Sequence, residues 1–380
     1  MFIRVGDGDR RLSAYEVQMM LSSRGQPRKD ETAVPEASVD DLDSELVAGL
    51  LKRLRQPEAS YFRQNGDESA LQTLRVLVRH GERWVASLGG LLALGKYPQQ
   101  FFPALGVTFV VYPTPVLGEP GPRGERFLDN RRFDGPIPRV IRPFLDALER
   151  HLARRSVVRG AYREEEWEYP ETAVREALVN ALAHRDLSAA ARGSPVQVHL
   201  FPDRLTIINP GGLFGPVSVD RLGEEGISST RNQVLMKLLE DTTTPDDGRL
   251  VCENRGSGIS AMLAALRRAG LSTPRFVDRV ATFEVTFQVA SVTEEPGRPS
   301  RQRGDRRQEI LAFLQGNGES SRAEIGDALG LSIGATRKWL QVLLEERLVE
   351  LTTASEHSRN ASYRAVAPFT GSDLATYHGK

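Results

Sequence analysis

The chain has one cysteine, few lysines, no formal net charge and no long apolar run. The lone Cys252 excludes an intrachain disulfide and any cysteine-rich zinc site, and it fits a reducing cytoplasm. No apolar stretch approaches the roughly 20 residues needed to span a bilayer, so no membrane partner is expected. The first residues, MFIRVGDGDRR, are charged and hold no apolar core segment, so no secretory signal is expected. Fifty basic residues balance fifty acidic ones. Any DNA contact must therefore come from a local patch and not from the charge of the whole chain. The basic residues are almost all arginine, as a GC-rich coding bias would give, so arginine richness by itself says little about function.

At 380 residues the chain should hold two or three domains. Phe2–Val5 reads as a strand, Gly6–Asp9 as a turn and Ser13–Gly25 as a helix opened by Ser13; these cannot bury a core alone. Asp40–Arg55, Glu68–Gly95 and Ile137–Arg155 show helical periodicity, which places His80 and His151 on helices. Phe101–Pro113 runs into a buried strand. From 156 the expected order is strand, helix (170–187), strands (195–201 and 204–209), an irregular segment, helices (230–240 and 257–269) and a final strand (280–289). That mixture suggests an α/β sandwich. Ser291–Asp305 is a polar linker rich in proline, glycine and charge. Residues 306–366 read as helix, helix-turn-helix and hairpin, and 367–380 as a frayed tail.

The chemistry concentrates in REALVNALAHRDLS, Arg175–Ser188. On a helix, Glu176, Asn180 and His184 fall at i, i+4 and i+8 on one face, while Ala177, Leu178, Ala181 and Leu182 can pack. A carboxylate can orient an attacking water, an amide oxygen can ligate Mg²⁺, and a basic group at His184 or Arg185 can meet phosphate. Two glycine turns follow. In NPGG, after a strand, Gly211 and Gly212 would let the backbone approach a ligand while Asn209 points an amide at a base. In RGSG, Gly256, Ser257 and Gly258 open a helix whose N-terminus suits phosphate. Taken singly, each is equally a capping group, a satisfied core polar residue or a plain turn. Their ordered set points to a nucleotide site.

That set resembles the Bergerat ATP-binding fold of the GHKL superfamily. A closer likeness is to bacterial regulators that join a Schlafen-type AlbA domain, a GHKL-like domain and a C-terminal winged helix. Five strings carry it in order: Leu91–Pro103, Tyr169–Asp186, Asn209–Leu213, Arg231–Leu235 and Glu253–Ile259. The resemblance implies an α+β chain: a GHKL (Bergerat-type) α/β sandwich plus a winged helix-turn-helix. The expected divisions are 1–35 as a remnant of an AlbA-like domain, 36–155 as a connecting region and 156–290 as the ATP-binding domain. A linker (291–305), the winged helix (306–366) and the tail (367–380) complete the order. The chain is then N-terminally truncated relative to these regulators. A homodimer and a missing or separately encoded AlbA domain stand as candidate partners.

Carried over residue by residue, Glu176 matches the catalytic glutamate and Asn180 the Mg²⁺ ligand. His184, Arg185, Asn209, Gly211, Gly212, Arg231, Asn232, Gly256, Ser257 and Gly258 would contact the nucleotide. Asn209 departs from the adenine-binding aspartate of many GHKL proteins, which weakens the implied base contact. Leu213–Arg255 would form a lid. The cofactors implied are ATP and Mg²⁺.

Gly90–Tyr97 matches G-x4-G-K but lacks the following Ser/Thr of a P-loop, so nothing points to a helicase motor. Neither His80 nor His151 sits in a kinase dimerisation hairpin.

In the C-terminal module Ser332, Ala335, Thr336, Arg337 and Lys338 lie at the N-terminal end of the second helix of the motif, which would enter a major groove. Arg359 and Asn360 fall at the wing tip. Double-stranded DNA is the expected partner, although the module is nearly charge-neutral and protein contact is its alternative use. The expected function is an ATP- and DNA-binding transcriptional regulator in the cytoplasm. Two alternatives stand beside it: an ATPase effector in DNA transactions or defence, and a degenerate, nucleotide-free interaction scaffold.

Overall fold

In the computed structural model the chain divides into two compact units, residues 1–291 and 292–380. The structure describes residues 2–5, 8–22, 25–56, 60–159, 162–224, 229–252, 258–289, 306–329, 331, 333–345, 348–352 and 361–366. The linker expected at 291–305 and the tail at 367–380 lie outside these.

The first unit opens with a hairpin, β1 (Phe2–Val5) and β2 (Gly8–Arg11), and α1 (Ala14–Ser22). There follow α2 (Ser44–Leu54), α3 (Asp67–Thr73), β3 (Leu77–His80), β4 (Arg83–Ala86), α4 (Leu88–Leu94), β5 (Val107–Val111), β6 (Asp129–Phe133) and α5 (Ile137–Glu149). Then come β7 (Arg154–Arg159), β8 (Tyr162–Trp167), α6 (Glu171–His184), β9 (Val196–Phe201), β10 (Arg204–Pro210), α7 (Gln233–Asp241), α8 (Gly258–Arg268), β11 (Arg275–Asp278) and β12 (Thr282–Gln288).

Six strands form one mixed sheet in the order β11-β12-β10-β9-β5-β6. Its neighbours are antiparallel except β5 and β9, which run parallel with Val107 opposite Val196. Alternation on β5 and β9 buries Val107, Phe109 and Val111 beside Val196, Val198 and Leu200. Phe109 meets Phe144 of α5 edge-on at 5.8 Å. The core runs on through Ala177, Leu178, Ala181 and Leu182 of α6 and Met262 and Leu266 of α8. Removing a buried leucine such as Leu178 would cost about 2–5 kcal/mol.

Two expectations change here. The stretch 68–95 is not one helix: α3 and α4 are separated by the hairpin β3–β4. Arg75 (φ 61°) and Gly81 (φ 59°) turn the chain where a helix would continue, and His80 ends a strand. The helix expected over Ile137–Arg155 stops at Glu149, and His151 beyond it meets Asp129 of β6, Nε2 to Oδ2 at 2.7 Å. The region 36–155 also supplies β5, β6 and α5 to the same sheet and core as the residues after 156, because β5 finds its parallel partner in β9.

The second unit comprises α9 (Arg306–Asn317), β13 (Ser320–Ser321), α10 (Arg322–Leu329), α11 (Ile333–Glu345), β14 (Val349–Leu351) and β15 (Ser362–Ala365). The short sheet runs β13-β15-β14, all antiparallel. Ile310, Leu314, Ile325, Leu340, Leu343, Val349 and Tyr363 form its core. α10 and α11 cross closely, since a Cβ at Gly326 would lie 3.1 Å from Thr336 Oγ1. This is the winged helix-turn-helix arrangement. Among the described residues no helix is long and apolar enough to cross a membrane.

Candidate nucleotide site

α6 begins after Pro170, carries Glu171 in its first turn and ends where Arg185 turns to ψ 152°. Most of its surface is buried, as the apolar residues at 173, 174, 177, 178, 181 and 182 require. The partly exposed row Glu176, Asn180 and His184 faces a pocket. Opposite stand Ile207 and Asn209 of β10 and Phe283 and Val285 of β12. The segment after NPGG adds Gly212, Leu213, Phe214, Val217, Ser229 and Thr230, and α8 adds Gly258, Ile259 and Met262. The spacing read from sequence thus brings all three α6 groups into one cavity with Asn209, Gly212 and Gly258.

Polar groups within the pocket are arranged with some economy. Asn180 Nδ2 donates to Glu176 Oε1 at 3.0 Å. Asn209 is 6 % exposed, and its Oδ1 is buried with no hydrogen-bond partner. A buried acceptor left unpaired costs about 1–3 kcal/mol, so this carbonyl is poised for a donor that the protein does not supply. Burial, with Arg231 nearby, pushes the His184 imidazole down to about 4, so it is neutral at pH 7. The Cys252 thiol, packed by Met236, is pushed up to about 12 by burial and is inert. Glu176 is then the only charged side chain among the described residues that line the pocket.

Four residues expected at the nucleotide do not line the pocket. Arg185 is 1 % exposed; its Nη2 donates to Ser194 O at 2.5 Å, and burial pushes the guanidinium down to about 10. It ties the chain after α6 and has no path to phosphate. Asn232 is fully buried and donates through Nδ2 to Ala183 O (2.9 Å) and Arg185 O (2.8 Å), satisfying carbonyls at the end of α6. Arg231 is 4 % exposed, donates through Nη2 to Gly212 O at 3.0 Å and lies 5.5 Å beneath the Phe214 ring. Gly211 (φ 101°) leaves the space that Arg231 fills, since a Cβ there would overlap Nη1. The N–H groups of Gly211 and Gly212 bond Ala281 O (2.7 Å) and Val280 O (2.8 Å). The glycine turn therefore admits an arginine and the β11–β12 turn, where a ligand was expected. Gly256 and Ser257 lie outside the described residues.

Sequence alone gave no sign of two anchors from the N-terminal segment. Gln26 Nε2 donates to Thr230 O (3.1 Å) and Arg231 O (2.9 Å). Asp30 Oδ2 accepts from Val234 N (2.7 Å) and Leu235 N (3.0 Å), capping α7, and burial raises its carboxyl above the usual range. Both contacts bridge over 200 residues, so no local pattern announces them.

The donor chemistry fits Mg²⁺ carried with phosphates: Asn180 gives its Nδ2 to Glu176 Oε1, and the residue types offer an amide oxygen and a carboxylate, both hard ligands, from one helix face. Among the described residues no group of three or more His, Cys, Asp or Glu could hold a metal alone.

In the second unit Arg337 is exposed on α11, whereas Thr336 is fully buried against α10 and is corrected from a DNA contact to a packing residue. Ser332, Arg359 and Asn360 lie outside the described residues, as do the side chains of Ala335 and Lys338.

Comparison with known families agrees with this architecture. Residues 193–287 match the family described as "Putative ATP-dependent DNA helicase recG C-terminal", and residues 304–350 match "Winged helix-turn-helix DNA-binding". The first unit is thus similar, over residues 193–287, to an ATPase-like domain of the RecG C-terminal type. The second is similar, over residues 304–350, to a DNA-binding winged helix. The chain is also similar to the crystal structure of the DIP2311 protein from Corynebacterium diphtheriae, at 19 % identity and a TM-score of 0.48, over 96 % of this chain and 69 % of that one. Comparison with curated proteins returns no match.

Proposed function

We propose that the pocket binds an adenine nucleotide, ATP with Mg²⁺, and that the protein is a DNA-binding transcriptional regulator whose winged helix responds to the nucleotide state. The buried, unpartnered Oδ1 of Asn209, a residue that lines the same cavity as Glu176 and Asn180, carries this reading. An exocyclic amine such as adenine N6 supplies the missing donor, and the apolar walls at Ile207, Met262 and Phe283 suit the faces of a purine. Asn180 would hold Mg²⁺ and Glu176 would face it, while Arg337 of α11 would meet DNA. Bound Mg²⁺ would screen the phosphates and polarise them. Hydrolysis is a separate matter, for which Glu176 is the candidate base.

Isothermal titration of the full chain with ATP and Mg²⁺ tests the pocket. Asn209→Leu should weaken binding at least about tenfold, because a buried hydrogen bond is removed, while Asn209→Asp should retain it. If the wild-type protein takes up no ATP, or Asn209→Leu binds as well as wild type, the reading fails.

A further inference from the structure

Asn209 sits near the end of β10, where it pairs with Phe283 of β12. The strand fixes its backbone, and its side chain belongs to the cavity wall. A site built to read one base holds the reading group in place with hydrogen bonds from behind. Buried amides elsewhere in this unit are held in that way. Gln99 donates through Nε2 to Leu105 O (2.6 Å) and Gly135 O (3.1 Å), and its Oε1 accepts from Gly135 N at 2.8 Å. Asn232 donates through Nδ2 to two carbonyls at the end of α6. Asn209 differs: no protein donor reaches its buried Oδ1. A half-turn about its Cβ–Cγ bond exchanges the amide oxygen and nitrogen, and it forfeits no hydrogen bond at that oxygen.

The purine ring presents opposite chemistry at position 6. Adenine carries an amine there, a donor, whereas hypoxanthine and guanine carry a carbonyl oxygen, an acceptor. An amide can meet either one, through its oxygen or its nitrogen; an ionised carboxylate only accepts and so meets the amine alone. The apolar walls at Ile207, Met262 and Phe283 suit the ring faces, which these bases share, and do not distinguish them. We propose that Asn209 makes the cavity a general purine-nucleotide site, which takes 6-oxopurine nucleotides as readily as ATP by turning its amide. This inference rests on the nucleotide reading above and widens its ligand class from adenine to purine. Residue 209 then determines specificity by leaving open a choice that a carboxylate would close.

The test titrates the full chain calorimetrically with the Mg²⁺ complexes of ATP, inosine triphosphate and cytidine triphosphate. Hypoxanthine is the cleanest 6-oxo probe, because it lacks the extra amine of guanine. Wild type should bind ATP and inosine triphosphate within about threefold of each other, since each gains one neutral hydrogen bond at position 6. Cytidine triphosphate should bind at least about tenfold more weakly, as its smaller ring leaves the purine walls uncovered. Asn209→Asp, titrated at roughly pH 8 to keep the new carboxylate ionised, should favour ATP over inosine triphosphate by at least about tenfold. Circular dichroism checks that this variant is folded, and the wild-type ratio decides the matter without it. A wild-type preference of about tenfold or more for either purine would overturn the two-way amide and leave the nucleotide reading standing. Equal binding of both purines by folded Asn209→Asp, or of cytidine triphosphate and ATP by wild type, would remove residue 209 as the reader and overturn it too. If none of the three triphosphates binds wild type, the nucleotide reading itself fails.

Discussion

Gly211→Ala should be among the most damaging single-methyl additions to the first unit. The backbone at 211 has φ 101°, a region that L residues rarely adopt. Imposing it on alanine costs roughly 1–3 kcal/mol. The new Cβ would also overlap Arg231 Nη1 and lie 2.8 Å from Asp186 Cβ and 3.1 Å from Asp186 N. Asp186 is fixed by its own N–H to Pro210 O at 2.7 Å, so Arg231 must yield. Its withdrawal breaks the Nη2 bond to Gly212 O and strands a guanidinium that is 4 % exposed, a further cost of roughly 1–3 kcal/mol. The sum, about 2–6 kcal/mol, is a large part of the total stability of an ordinary domain. Urea denaturation followed by tryptophan fluorescence reads it, with Trp84 and Trp167 reporting on this unit. The same substitution made in an Arg231→Ala background should cost less, because the Arg231 collision is gone and only the backbone part and the contact with Asp186 remain. A wild-type cost below about 1 kcal/mol, or equal costs in the two backgrounds, would refute the packing argument.

Two further outcomes follow from the electrostatics and from the second unit. His184 is pushed down to about 4 in the folded chain from an ordinary value of 6.5, so folding favours the neutral ring. Its contribution to stability is full above pH 6.5 and is lost as pH falls toward 4, by up to roughly 3 kcal/mol less the relief from partial solvent access. Its NMR ring signals should stay flat from neutral pH down to about 5; titration near 6.5 would contradict the burial argument. On α11, Arg337→Ala should weaken double-stranded DNA binding and, for a phosphate contact, reduce the salt slope by about 1. Thr336→Val should lower stability by about 1 kcal/mol and leave DNA affinity unchanged. Equal effects of the two on affinity, measured by fluorescence anisotropy, would overturn the assignment of Thr336 to packing.

The parts legible in the sequence are those set by local spacing. Glu176, Asn180 and His184 share a face because the α-helical period is fixed, and that face proves to line the pocket. The winged helix reads correctly because its elements lie within about sixty residues and pack on their neighbours. What failed was non-local. The apolar spacing of Leu71, Leu74 and Leu77 fits a helix, but Leu77 begins a strand after Arg75 turns to positive φ. Pairing of β5 with β9 joins Val107 to Val196, 89 positions later, and nothing near either residue announces it. Gly211 was legible as a glycine that makes room. Whether the room admits a ligand or an arginine twenty residues onward depends on tertiary packing alone.

The misplaced arginines decide more than bookkeeping of the site. Had Arg185 and Arg231 faced the cavity, they would have neutralised incoming phosphates and made a metal dispensable. Instead both are buried behind its wall, where they bond Ser194 O and Gly212 O and hold the chain around α6 in place. Their charge is not lost to the pocket: Arg231 helps to keep His184 neutral. The result is a cavity whose described lining carries a carboxylate, several uncharged polar groups and apolar walls. On the proposed reading such a lining would select a purine by shape and by Asn209. It cannot, through those residues, balance a triphosphate. On the proposed reading a cation travelling with the nucleotide would supply what the buried arginines withhold, which is why metal dependence, more than base recognition, is the property on which that proposal is most exposed to refutation.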